Sequence, residues 1–307
     1  MGTKIAVKEY TKLEGHKQGV YSLFWHDQES VLVSAGGDGA VVKWSVPLQG
    51  DLPASGVVGT LFAQLPEPIF SLLEGREGVI WAGSQSGNVY RLKQGTSPRV
   101  LSMGASVFFL VRWMDGSIAA GLGNGEMVFM DDEMVVQRRV ALGRKSLRCC
   151  LFDRGLVGGS DGCIWQLGVE GEVLNRFEAN APSVFCMVGL SDGGWVSGGR
   201  DAQLWWFDAN GVVTERLNAH LYTIHALVGY GDGMIVSGGM DKMVKVWDGR
   251  DAKLLKVLDR QKFPGTGHSH SVNALCRLPA LEQRGKRRLL ASAGDDKIIR
   301  LWEINPE

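Results

Sequence analysis

Short apolar runs of four to seven residues alternate along this chain with clusters of Gly, Asp, Asn and Ser. No stretch carries apolar residues at the 3.6-residue spacing of a helix face, so the runs read as strands joined by tight turns. Between Ile224 and Leu258 four of them follow one another: Ile224 to Val228, Met234 to Ser237, Val244 to Trp247 and Leu254 to Leu258. Four hairpin-linked runs predict one antiparallel sheet, and the chain as a whole is expected to be all-β.

The unit repeats. Val33-Ser34-Ala35-Gly36-Gly37-Asp38 recurs as Val196-Ser197-Gly198-Gly199-Arg200-Asp201, as Val236-Ser237-Gly238-Gly239-Met240-Asp241 and as Ala291-Ser292-Ala293-Gly294-Asp295-Asp296. Six residues after each Asp stands a large apolar residue: Trp44, Phe207, Trp247 and Trp302. Weaker copies run from Ser86 to Leu92, Asn124 to Met130 and Asp161 to Leu167, which makes seven units at intervals of 48, 38, 37, 40, 40 and 55 residues. A four-stranded sheet of this size cannot bury both faces alone, so the copies must pack on one another, and a radial ring leaves only short, protected edges. The expectation is one seven-bladed β-propeller with repeats at 15–61, 62–100, 101–139, 140–178, 179–218, 219–258 and 267–304. The last unit ends at Trp302, after its third strand; residues 4–13 are expected to supply the fourth and close the ring.

Three units carry a fuller pattern: His16, Val20, Ser34, Asp38 and Trp44; His220, Ile224, Ser237, Asp241 and Trp247; His268, Val272, Ser292, Asp296 and Trp302. In these residues the chain resembles the WD-repeat family. The resemblance implies a propeller whose top face carries the openings of the first strands and the turns between second and third strands, where partners dock. The second, third and fourth units lack the His and the Trp, and the fifth keeps Ser197, Asp201 and Phe207 only.

Ser, His and Asp together also invite a hydrolase reading. Their repetition argues otherwise: one nucleophile needs one exposed site, whereas three equivalent sets suit a shared way of satisfying buried polar groups. His268 and His270 are two apart, but no third metal ligand is in view, and no nucleophile elbow or phosphate-binding glycine loop occurs. Neither a cofactor nor a metal is expected.

Thirty-three basic residues balance 33 acidic ones, which argues against nucleic acid and against an anionic membrane as partner. Met1 to Thr11 is charged and lacks an apolar stretch, no apolar run is long enough to span a membrane, and Cys149, Cys150, Cys163, Cys186 and Cys276 are odd in number without metal-like spacing. A cytoplasmic protein with reduced thiols is expected, as a monomer or a subunit of a hetero-complex.

Recognition must then be local. Around the expected top face, the residue after the first-strand Val or its equivalent is Tyr21, Phe70, Phe108, Arg148, Phe185, His225 and Asn273 in turn. The residue before the Asp gives Gly37, Gln85, Gly123, Ser160, Arg200, Met240 and Asp295, and the residue before the Val gives Gly19, Pro68, Ser106, Ser146, Ser183, Thr223 and Ser271. Small residues beside aromatics describe a shallow basin, with Tyr21, Phe70, Phe108, Arg148, Phe185, Arg200, His225, Met240, Asn273 and Asp295 as candidate partner-binding residues. Arg148 and Arg200, near Arg144 and Lys145, suit an acidic or phosphorylated peptide. The alternatives are an enzyme using the channel, with His225 and Asp295 as its only candidate acid or base, and a phosphate or nucleic-acid binder using Arg148 and Arg200. Further departures from the repeat are the loops from Pro47 to Gly56, Asp259 to Gly267 and Pro279 to Arg288, the last carrying Arg284, Lys286, Arg287 and Arg288. Trp205 stands where other units have Lys245 and Arg300, and it is expected either to pack on the next blade or to mark a sticky side.

Overall fold

The computed structural model describes residues 5–48, 57–179, 182–260, 266–279 and 288–306. Within them 28 strands form seven four-stranded antiparallel sheets, with one 3₁₀ turn at Phe152–Arg154. Six sheets take four consecutive strands each. The seventh is ordered Ile5–Leu13, Ile299–Pro306, Arg288–Gly294, Val272–Leu278, so the first strand of the chain is the outer strand of the last blade. Its register runs from Ile5 opposite Pro306 to Leu13 opposite Ile299. The expected closure is therefore present, and the innermost strand of the last blade, Val272–Leu278, packs on that of the first, Val20–His26.

Burial explains the order of strand types. The second strand of a blade lies between two other strands and between two neighbouring sheets. Val31–Gly36, Ile80–Ser84, Ile118–Leu122 and Trp195–Gly199 are accordingly buried at every position and read as unbroken apolar or small runs. Outer strands such as Val136–Ala141 face solvent and alternate. The glycines of the repeat set the spacing between blades: a Cβ on Gly83 would stand 2.5 Å from the Val107 side chain of the next blade, and one on Gly238 would stand 2.7 Å from that of Val272. Hydrophobic clusters accordingly span neighbouring blades, one joining Val31, Val33 and Val41 to Ile69, Ile80 and Leu92.

The closure also carries a buried ion pair. Arg300 Nη1 lies 3.2 and 3.0 Å from the two Glu9 oxygens, Arg300 Nη2 lies 3.9 Å from Asp296, and the Gly267 N–H reaches Glu9. Residues at opposite ends of the sequence thus neutralise each other inside the last blade.

Candidate functional site

The three His-bearing sets have one geometry. His16 Nδ1 lies 3.1 Å from both Asp38 oxygens, Ser34 Oγ lies 2.7 Å from His16 Nε2, and the Trp44 indole N–H donates to Ser34 Oγ at 2.8 Å. The corresponding distances are 2.8, 2.7 and 2.9 Å for His220, Asp241, Ser237 and Trp247, and 3.0, 2.7 and 2.8 Å for His268, Asp296, Ser292 and Trp302. Because the indole can only donate, the serine hydroxyl gives its proton to Nε2, and Nδ1–H donates to the carboxylate. Ser34, Ser237 and Ser292 are 0 % exposed. An oxygen closed off and committed on both sides cannot meet a substrate carbonyl, and the arrangement instead ties the top loop to the second and third strands. Both ring nitrogens of His268 are engaged, and among the described residues no group of three or more His, Cys, Asp or Glu is placed to hold a metal ion.

Two blades solve the same problem with other residues, which sequence reasoning missed. In the second blade Glu67 accepts from Ser86, Asn88 and Tyr90, while Ser84 Oγ accepts the Asn88 N–H. Burial raises the Glu67 carboxyl, but these hydrogen bonds outweigh it and hold the pKa at about 2; burial and Glu67 push Tyr90 up to about 12. The available signal was an acidic residue two positions before the first strand, in a blade with Leu65 at the position four before it where the full pattern has His. In the fifth blade the Trp205 indole donates to Asp201 at 3.0 Å, with the Arg216 guanidinium 4.1 Å above its ring. The indole also packs against a hydrophobic cluster that joins blades four and five, and its N–H takes over the carboxylate that His serves elsewhere.

The top face is built by a bulge repeated seven times. In every blade the pairing of the innermost strand with its neighbour skips one residue after the first, at Val20/Ser22, Ile69/Ser71, Val107/Phe109, Leu147/Cys149, Val184/Cys186, Ile224/Ala226 and Val272/Ala274. The skipped residues are Tyr21, Phe70, Phe108, Arg148, Phe185, His225 and Asn273. A bulge leaves its extra residue unpaired and re-aims the side chain, and these seven together line one cavity of about 290 Å³ at the mouth of the channel. Beside each bulge, the N–H of the residue before the Asp position donates to the carbonyl of the residue before the first strand. Gly37 pairs with Gly19 in this way, Gln85 with Pro68, Gly123 with Ser106, Ser160 with Ser146, Arg200 with Ser183, Met240 with Thr223 and Asp295 with Ser271. Of the ten candidate residues, seven are brought together; Arg200, Met240 and Asp295 stand on the surrounding rim and do not line the cavity.

Within the mouth the rings are in contact. Tyr21 meets Phe70 edge-on at 5.7 Å, Phe70 stacks on Phe108 at 5.5 Å, and Phe185 meets His225 at 5.7 Å. Arg148 bridges the two halves, its guanidinium carbon 3.9 Å from the Phe108 ring centre and 4.6 Å from that of Phe185. Its Nε is buried without a hydrogen-bond partner. Burial draws the Arg148 pKa down to about 10, and burial together with the charge of Arg148 lowers that of His225. At neutral pH the mouth therefore holds one full cation and a neutral imidazole. On the seventh blade Asp295 accepts from Asn273 at 2.7 Å.

Next to His225 the candidate residue Met240 forms an apolar patch with Leu221 and Tyr222, two residues that the sequence reading did not single out. Leu221 is 73 % exposed, Tyr222 60 % and Met240 53 %, and the Thr223 carbonyl accepts the Met240 N–H at 2.8 Å. Its signal was visible: after the tetrad histidine the first blade has Lys17 and Gln18, and the seventh has Ser269 and His270. Of the three long loops, residues 49–56, 261–265 and 280–287, with Arg284, Lys286 and Arg287, lie outside the described residues.

The model of the WD domain, G-beta repeat, family matches residues 7–45, 211–248 and 260–303, the stretches that hold the three complete tetrads. The chain thus carries three matches to the WD repeat within a seven-bladed β-propeller. Among solved structures it is similar to the crystal structure of the WD40 beta propeller domain of Doa1, with a TM-score of 0.77 and 18 % identity over 97 % of this chain and 96 % of that one. No curated protein matches it by sequence. At that identity the Doa1 likeness concerns the fold alone. WD-repeat propellers commonly act as protein-interaction scaffolds and are typically non-catalytic.

Proposed function

We propose that this WD-repeat propeller is a non-catalytic scaffold that holds a protein or peptide on its top face, with the channel mouth as anchor. The observation that carries the reading is the sevenfold bulge, which gathers four aromatic rings, Arg148, His225 and Asn273 around one cavity of about 290 Å³. Rigid aromatics and an arginine gathered in a concave, half-buried setting are the side chains that concentrate binding energy. The same mouth is poorly equipped for catalysis. Among the described residues His225 has no hydrogen-bonded acid, base or nucleophile, and the three Ser-His-Asp sets are closed to solvent. A nucleic-acid reading is disfavoured by the balance of 33 basic and 33 acidic residues and by a mouth with a single cation. Five free cysteines, three of them buried, suit a reducing compartment such as the cytoplasm.

The test compares affinity capture from the native extract by three proteins of matched melting temperature: wild type, Phe108→Ala with Arg148→Glu, and Val212→Asp on the opposite face. A partner lost by the double variant and kept by Val212→Asp is the expected result. A partner kept by both variants, or lost only by Val212→Asp, moves the interface off the top face.

A further inference from the structure

The chemistry of the anchor turns on one side chain. Other arginines in this fold have carboxylate partners: Arg300 has Glu9, Arg112 has Asp132 and Arg138 has Asp115. Arg148 has none among the described residues, although it is half-buried and its Nε is closed off without an acceptor. A cation held out of water without a counter-charge is costly. Phe108 and Phe185 lie over the guanidinium, so hydrogen bonding is left to its edge, the geometry that suits a planar oxyanion.

The surroundings narrow the ligand further. Asn273 is held by Asp295, and burial with the nearby charge of Arg148 keeps His225 neutral, so one positive charge is on offer. A single negative charge matches it, whereas a phosphate dianion would leave a second charge among phenyl rings. Asp295 stands on the seventh blade and Arg148 on the fourth, which orients the mouth and disfavours a second acid at the far side. Beside His225, Leu221, Tyr222 and Met240 expose an apolar surface that a solvated anion alone would not cover.

Building on the scaffold reading, on which this rests, we propose that the channel mouth binds the side-chain carboxylate of an acidic residue in a partner peptide, edge-on to Arg148 between Phe108 and Phe185. Apolar residues of the same peptide cover Leu221, Tyr222 and Met240.

The experiment is selection of a random linear-peptide library on the intact protein, with affinity measurement for the enriched peptides. They are measured against wild type, Arg148→Met, and the pair Leu221→Asp with Met240→Asp, each checked for an unchanged fold by thermal melting. The expected result is an enriched motif with one Asp or Glu flanked by apolar residues. Its affinity falls about thirtyfold or more on Arg148→Met, the effect of removing one partner of a buried charge pair. Amidating the acid (Glu→Gln or Asp→Asn in the peptide) costs as much on wild type and nothing further on Arg148→Met, a coupling that a merely structural Arg148 would not produce.

Peptides without an acid, sensitive to the Leu221 and Met240 pair but not to Arg148→Met, overturn the carboxylate proposal and leave the scaffold reading standing. Tighter binding when phosphoserine replaces the acid overturns the single-charge argument. Peptides indifferent to both sets of variants, or an empty selection, overturn the top-face reading and the proposal with it.

Discussion

Replacing Arg148 by Met is expected to stabilise the protein while removing its anchor. Burial lowers the Arg148 pKa from 12.5 to about 10, which corresponds to roughly 3 kcal/mol of penalty on the charged form. Against this stand the two ring contacts at 3.9 and 4.6 Å, each worth about 1 kcal/mol in a half-buried setting. Methionine keeps a long apolar stem and a sulfur that meets both rings, returning roughly 0.5–1 kcal/mol. The net gain is about 1–2 kcal/mol, read as a higher urea midpoint at unchanged slope and a melting temperature raised by about 2–4 °C per kcal/mol. A small carboxylate such as acetate at high concentration should stabilise wild type and not the variant, because it binds only where the cation is present. A variant less stable than wild type by more than about 1 kcal/mol would show that Arg148 is a structural prop and refute the reasoning.

The buried polar groups carry three further expected outcomes. Glu9→Ala leaves Arg300 inside the closing blade without its main counter-charge, and urea unfolding should show a loss of about 3–5 kcal/mol; Glu9→Asp is expected to recover part of it. Ser237→Ala deprives both the His220 ring and the Trp247 indole of their partner, which should cost about 2–3 kcal/mol by the same assay. With acid, blade six should weaken in two stages. Burial lowers the His220 pKa below 6.5 against the pull of Asp241, so its contribution is whole above pH 6.5 and declines as the unfolded histidine takes up a proton below it. Burial raises the Asp241 carboxyl, but the hydrogen bond and charge of His220 and the Leu221 N–H bring it below 3.8; that contribution is present above pH 3.8 and fades as the pH falls under it. His220→Gln should shrink the first decline in the urea midpoint between pH 7 and 5, leaving the share of His225, whose pKa burial also lowers, and an unchanged decline would refute the assignment.

Much of this architecture is written in the local sequence. The six-residue step from Asp38 to Trp44, repeated at Asp241 and Trp247 and at Asp296 and Trp302, comes from one hairpin geometry reused in each blade. The count of seven and the missing fourth strand after Trp302 then require the ring and its closure, because a half-buried sheet has no other way to cover its faces. The tetrads were legible for the same reason: their members recur at fixed spacing within one unit. The substitutes in blades two and five were not, since Glu67 and Trp205 serve a carboxylate network through contacts that no repeat pattern encodes.

The top face divides along the same line. By itself the repeat determined which residue of each blade comes to the mouth, because position after the first-strand valine is a property of one unit. Only the tertiary structure decided what those seven residues do to one another. Residues some forty positions apart become neighbours when the bulges turn them inward, and that packing sets Arg148 between Phe108 and Phe185 while leaving Arg200 outside on the rim. Whether a charge is solvated, paired or stranded depends on what surrounds it across blade boundaries, and no periodicity along the chain carries that information.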